Sequence, residues 1–142
     1  MSLSRIAVFE EPGKQIRMER ISIPPLGPGE ILVKIDYVTL CQSDLHTYSG
    51  RRKEKTPTIL GHEITGYIAA FYEDKQVTDL RGQTLRVGDR VTWAIYASDP
   101  TDGLARAGIP QKAAGLCKYG HERIGAAHSL HGGLADYIIL RN

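Results

Sequence analysis

Glu30-Ile31-Leu32-Val33-Lys34-Ile35-Asp36-Tyr37-Val38 is the stretch whose reading decides the fold. Its pattern has period two, so Ile31, Val33, Ile35 and Tyr37 share one face and Leu32, Lys34, Asp36 and Val38 the other. A segment of that period is a strand. Just before it, Pro24-Pro25-Leu26-Gly27-Pro28-Gly29 excludes regular structure, because proline brings no amide hydrogen. Just after it, Cys41 to Tyr48 reads as one or two helical turns stopped by Gly50, with Ser43 or Asp44 as the N-cap.

Further out the same grammar repeats. The chain holds 15 Gly and 7 Pro, and they fall mostly between short apolar runs. Ile6 to Phe9, Ile64 to Tyr72, Asp89 to Tyr96 and Leu134 to Leu140 read as strands, and Ile16 to Ile21 as a half-buried one. Glu11-Pro12-Gly13 and Val87-Gly88-Asp89 read as turns. Between Ser98 and His131 periodicity fails, and a long irregular lobe is expected. Many short strands and few helices predict a mainly β chain, a barrel or sandwich of one domain spanning residues 1–142.

Composition narrows the function classes. With 42% hydrophobic residues, 24% charged residues and a net charge of +2, the chain reads as an ordinary soluble globular protein. That charge is spread along the chain, so no nucleic-acid partner is expected. The densest basic run, Arg51-Arg52-Lys53-Glu54-Lys55, reads as a solvated loop before it reads as a patch for an anionic ligand. Two cysteines build no disulfide framework, and no leader or membrane-length apolar run stands out. A reducing, cytoplasmic setting away from membranes is the expectation.

Chemistry concentrates in Cys41-Gln42-Ser43-Asp44-Leu45-His46 and Gly61-His62-Glu63. Thiolate and imidazole bind zinc, and a catalytic zinc keeps one position open. Taken alone, Cys41 reads as core and His62 as a hydrogen-bonded histidine; together, with carboxylates beside them, they are parts of a Lewis-acid site. The parts are too few to close it, so the chain reads as the metal-bearing half of an enzyme. No Gly-x-Gly-x-x-Gly follows a strand, so a dinucleotide fingerprint is lacking.

Cys-x-Ser-Asp-x-His at 41–46, Gly-His-Glu-x-x-Gly at 61–66, Val-Gly-Asp-Arg-Val at 87–91 and Gly-Gly-x-Ala-Asp-Tyr at 132–137 occur in an order that resembles the zinc-dependent medium-chain alcohol dehydrogenases. The match corresponds to that family's N-terminal catalytic domain, whose irregular β-barrel is shared with the GroES co-chaperonin. The resemblance implies hydride transfer between an alcohol, polyol or related hydroxy compound and NAD or NADP. It implies that Cys41 and His62 are zinc ligands and that Glu63 is an alternative one. The remaining protein ligand and the nucleotide-binding Rossmann domain are expected outside this chain, which alone would be inactive. It further implies that Asp44 accepts from the ligand histidine, and that Ser43 and His46 form a proton relay. Cys41, Ser43 and His46 would also lie near the nicotinamide. As a full-length protein, such an enzyme is expected to be a homo-oligomer acting on a small molecule.

The chain departs from the pattern in the lobe. Family members often hold a second, structural zinc there on four closely spaced cysteines. Here Asp99 and Asp102 keep the first spacing with oxygen in place of sulfur, while Ala105 and Ala113 offer no ligand. That structural site is expected to be lost. A rival metal set of Cys117, His121, His128 and His131 fits none of the common structural spacings. The alternative of a different class is a free-standing domain for binding or assembly, without redox chemistry.

Overall fold

A computed structural model describes residues 2–75, 77–125 and 129–141. Its strands are β1 (Leu3–Val8), β2 (Arg17–Ser22), β3 (Glu30–Thr39), β4 (Glu63–Phe71), β5 (Arg90–Thr92), β6 (Tyr96–Ala97), β7 (Cys117–Lys118) and β8 (Tyr137–Arg141). Helices are few and short: α1 (Gln42–Tyr48) and α2 (Gly103–Arg106). The chain is mainly β, as its sequence predicts.

β3 is the centre of a four-stranded antiparallel sheet ordered β5-β4-β3-β8. β1 and β2 form a hairpin. The hairpin joins the main sheet because β1 bonds to the residues leading into β8: Ala7 N–H donates to Leu134 O (2.8 Å) and Asp136 N–H to Arg5 O (3.0 Å). The walls so curl around two apolar clusters. Ile31, Val33, Ile64, Ile68, Ile138 and Leu140 meet Cys117 and Tyr119 in one, and Ile6, Val8, Ile59 and Leu130 form the other.

Four expectations change in detail. Period two in β3 holds for Ile31 and Val33, but the register with β4 shifts between Ile35 and Tyr37. The extra residue is a bulge that reverses the alternation, leaving Tyr37 70% exposed and turning Val38 toward the core. β2 is not half-buried along its length. Among the described residues it pairs with β1; Ile21 packs on the second apolar cluster, while Met18 on the other face is 66% exposed. Asp89 to Tyr96 is not one strand. β5 ends at Thr92, and Ile95 turns to the lobe, its carbonyl accepting from Tyr119 N–H at 2.8 Å. Finally, the N-cap of α1 is Cys41, with Asp44 in the third helical position of a capping box.

Candidate metal centre

Antiparallel pairing aligns Thr39 at the end of β3 with Glu63 at the start of β4. Cys41 lies just beyond the first strand and His62 just before the second, so register alone brings them to one end of the sheet. Gly61 completes the approach with φ +90°, a left-handed conformation that favours glycine. A Cβ there would fall 2.8 Å from Val38 Cγ2.

Sγ of Cys41 stands 3.3 Å from Nε2 of His62. A tetrahedral zinc with ordinary bond lengths would set its sulfur and nitrogen ligands about 3.6 Å apart, so the pair matches a shared ion. Ligand atoms of Cys41, His62 and Glu63 lie within 4.8 Å of one another, the only such group among the described residues. Cys41 and His62 are half-buried and Glu63 is exposed, which leaves one side accessible. A thiolate, an imidazole and a carboxylate suit zinc.

Asp44 ties the two segments together. It is 3% exposed; its Oδ2 accepts from Cys41 N–H (3.1 Å) and its Oδ1 from Gly61 N–H (3.1 Å). Nδ1 of His62 points at Oδ1 of Asp44 from 3.5 Å. That nitrogen is buried and makes no hydrogen bond among the described residues. With Nδ1 toward the carboxylate, the ring offers Nε2 to Cys41, the orientation a metal ligand needs.

Ser43 and His46, expected from the resemblance to form a relay, sit on α1. Ser43 Oγ is 2.9 Å from Cys41 Sγ, directly beside the candidate ion position. His46, one helical turn on, bonds through Nε2 to Gln42 Nε2, which as an amide nitrogen donates at 3.1 Å. An open cleft of about 540 Å³ runs from His62 and Glu63 past Thr39, Thr65 and Thr92 to Trp93.

The lobe is held by hydrogen bonds from the two residues at the altered positions. Asp102 caps α2, its Oδ1 accepting from Leu104 and Ala105 N–H, and its Oδ2 reaches Ala114 N–H at 3.2 Å. Asp99 accepts from Thr101 N–H and Oγ1, bonds that hold its carboxyl below the usual range.

Among the described residues the rival metal set forms no cluster. Cys117 lies in the core beneath the sheet, where burial pushes its thiol pKa up, and His128 falls outside the described residues. The basic run is not wholly solvated either: Arg52 pairs with Glu54 (2.9 Å) and Lys55 with Glu122 (3.0 Å), both carboxylates largely buried. Sequence reasoning missed where His121 goes. It stacks on His62, and only a contact made in three dimensions reveals that.

The chain resembles known proteins in both sequence and fold. A family model described as alcohol dehydrogenase GroES-like domain matches residues 27–142. D-arabitol-phosphate dehydrogenase of Enterococcus avium is 30% identical over 93% of this chain and 34% of that protein. Zinc-type alcohol dehydrogenase B of Aspergillus flavus is 42% identical over 45% of this chain and 15% of that protein. Among solved structures, an alcohol dehydrogenase from Thermotoga maritima superposes with a TM-score of 0.83 at 25% identity, covering 99% of this chain and 39% of that one. The chain therefore spans well under half the length of these relatives.

Proposed function

The chain belongs to the alcohol dehydrogenase GroES-like domain family, and on that footing we propose that it supplies the metal-bearing part of a zinc-dependent oxidoreductase. The reaction is hydride transfer between the hydroxyl carbon of an alcohol, polyol or related hydroxy compound and NAD or NADP. The observation that carries this is the meeting of Cys41 Sγ and His62 Nε2 at 3.3 Å with Glu63 in reach. Cys41 and His62 hold the ion, Glu63 is a ligand that can come and go, and a further protein ligand comes from outside residues 1–142. The dinucleotide is held by a domain outside them as well.

Bound zinc supplies Lewis acidity that lets a hydroxyl lose its proton near neutral pH. The chain's own residues then handle the proton. Ser43 Oγ, adjacent to the ion position, takes up that proton as it gives its own hydroxyl proton onward, and His46, three positions along the same helix, passes a proton toward solvent. Asp44 keeps the two ligand-bearing segments in register through the amides of Cys41 and Gly61.

A polyol substrate is supported by the relative named D-arabitol-phosphate dehydrogenase and by the threonine hydroxyls along the cleft. A reducing compartment such as the cytoplasm suits a site whose ligand is a thiolate at Cys41. Self-association of the full-length protein is supported by large apolar side chains exposed on residues 1–142, Met18 and Leu80 among them, which further protein surface can cover.

The test uses full-length protein purified with zinc, a panel of alcohols and polyols, and both dinucleotides. Nicotinamide reduction is expected on at least one polyol, with Cys41→Ala losing both zinc and turnover. No reduction across the panel, or unchanged zinc content in Cys41→Ala, would overturn the reading.

A further inference from the structure

Beside the metal group lies a buried cluster that the proposed function does not use. His121 is 6% exposed, and its ring centroid is 4.9 Å from that of His62 with the planes tilted by 33°. Its Nδ1 meets Oε1 of Glu54 at 2.9 Å, and the same oxygen is ion-paired with Arg52 Nη2 at 2.9 Å. The Glu54 side chain is only 8% exposed. A carboxylate buried to that degree needs polar partners: Arg52 supplies the charge and the His121 ring a hydrogen bond, which fixes the plane of that ring.

The backbone is shaped for the approach. Gly120 has φ +74°, and a Cβ there would fall 2.6 Å from the carbonyl oxygen of Gly61 and 3.2 Å from Cβ of His62. Glycine at this position lets the lobe lay His121 against His62. The Asp44 contact alone does not fix the His62 ring: its Nδ1 stands 3.5 Å from Oδ1 and makes no hydrogen bond among the described residues, so a second neighbour can set the ring plane.

We infer that His121, clamped by Glu54, is a positioning residue that sets the ring plane of His62 and so the aim of Nε2 toward the ion position beside Cys41. This rests on the metal reading above. It makes zinc affinity depend on loop 51–55 and on the lobe, neither of which contributes a ligand.

The test is made on full-length protein. Zinc affinity is measured by competition with a chromophoric chelator, and ligand geometry is read from the absorption of the cobalt(II) form. His121→Ala is expected to weaken zinc binding about 10- to 100-fold, as loss of an orienting neighbour does, and to shift the cobalt ligand-field bands. His121→Phe, which restores an aromatic face, recovers part of both. A folded His121→Ala with unchanged affinity and cobalt spectrum overturns the inference, as does a loss of thermal stability alone. Should His121→Ala fail to fold, Glu54→Gln decides: unmoved cobalt bands and affinity in that variant overturn the inference. A wild-type cobalt form lacking a thiolate charge-transfer band that depends on Cys41 overturns the metal reading and this inference with it. An intact band with unmoved His121 and Glu54 variants overturns this inference alone.

Discussion

Asp44 accepts hydrogen bonds from the backbone amides of both Cys41 and Gly61, one on each oxygen, and so fastens the start of α1 to the turn that carries His62. The residues joined lie 17 positions apart in the chain at the second bond. A buried carboxylate in that role bears on the fold and on the metal at once.

Asp44→Asn replaces one acceptor oxygen by a donor that must face an amide N–H. The unsatisfied pair should lower stability by about 1–3 kcal/mol and weaken zinc binding about 10- to 100-fold. Urea denaturation and chelator competition measure the two effects. Zinc affinity equal to wild type would remove Asp44 from the account of the site.

Asp102 does by hydrogen bonding what the sequence predicts no metal does in the lobe. Asp102→Ala loses the cap of α2 and the bond to Ala114 N–H, which should cost about 1 kcal/mol. It should also open the lobe to limited proteolysis, whereas a chelator leaves wild-type cleavage within the lobe unchanged. Chelator-induced cleavage between residues 98 and 118 would show that a metal orders this segment.

Burial raises the Tyr119 hydroxyl to a pKa of about 12, against 10.0 ordinarily. The folded state then keeps a proton that the unfolded chain releases first. Its stabilising contribution is complete below pH about 10 and disappears as pH climbs toward about 12. Tyr119→Phe should flatten that alkaline loss, while near neutrality it forfeits the bond from Arg141 N–H at 2.9 Å. Urea midpoints across this range provide the check, and identical alkaline slopes in the two proteins would count against it.

The two thiols should react differently. Cys41 is half-buried at the mouth of the site, and Cys117 is 3% exposed with its pKa raised chiefly by desolvation. Iodoacetamide should modify Cys41 first in metal-free protein, with zinc slowing that reaction, and reach Cys117 only on unfolding. Equal rates, or no protection by zinc, would contradict the placement.

Much of this is legible in the sequence alone. Alternation in Ile31 and Val33 identifies the central strand, and Cys41 and His62 stand out because a thiol and an imidazole flanked by carboxylates suit one chemistry. What escaped the sequence depends on partners distant along the chain. The bulge that exposes Tyr37 comes from register with β4, not from anything within Glu30–Thr39. The end of β5 at Thr92 reflects competition from Tyr119 for the carbonyl of Ile95. Cys41 as N-cap defeats a preference for Ser and Asp, because Asp44 completes the capping box from inside the helix. His121 reads as a residue of a Gly-rich loop until Gly120 brings it onto His62.

Zinc X-ray absorption on the full-length protein and on Cys41→Ala asks most directly whether Cys41 and His62 share an ion. The account requires a sulfur scatterer at about 2.3 Å together with nitrogen or oxygen at about 2.0–2.1 Å, and the loss of one sulfur in Cys41→Ala. A first shell without sulfur, or one that Cys41→Ala leaves unaltered, would contradict it.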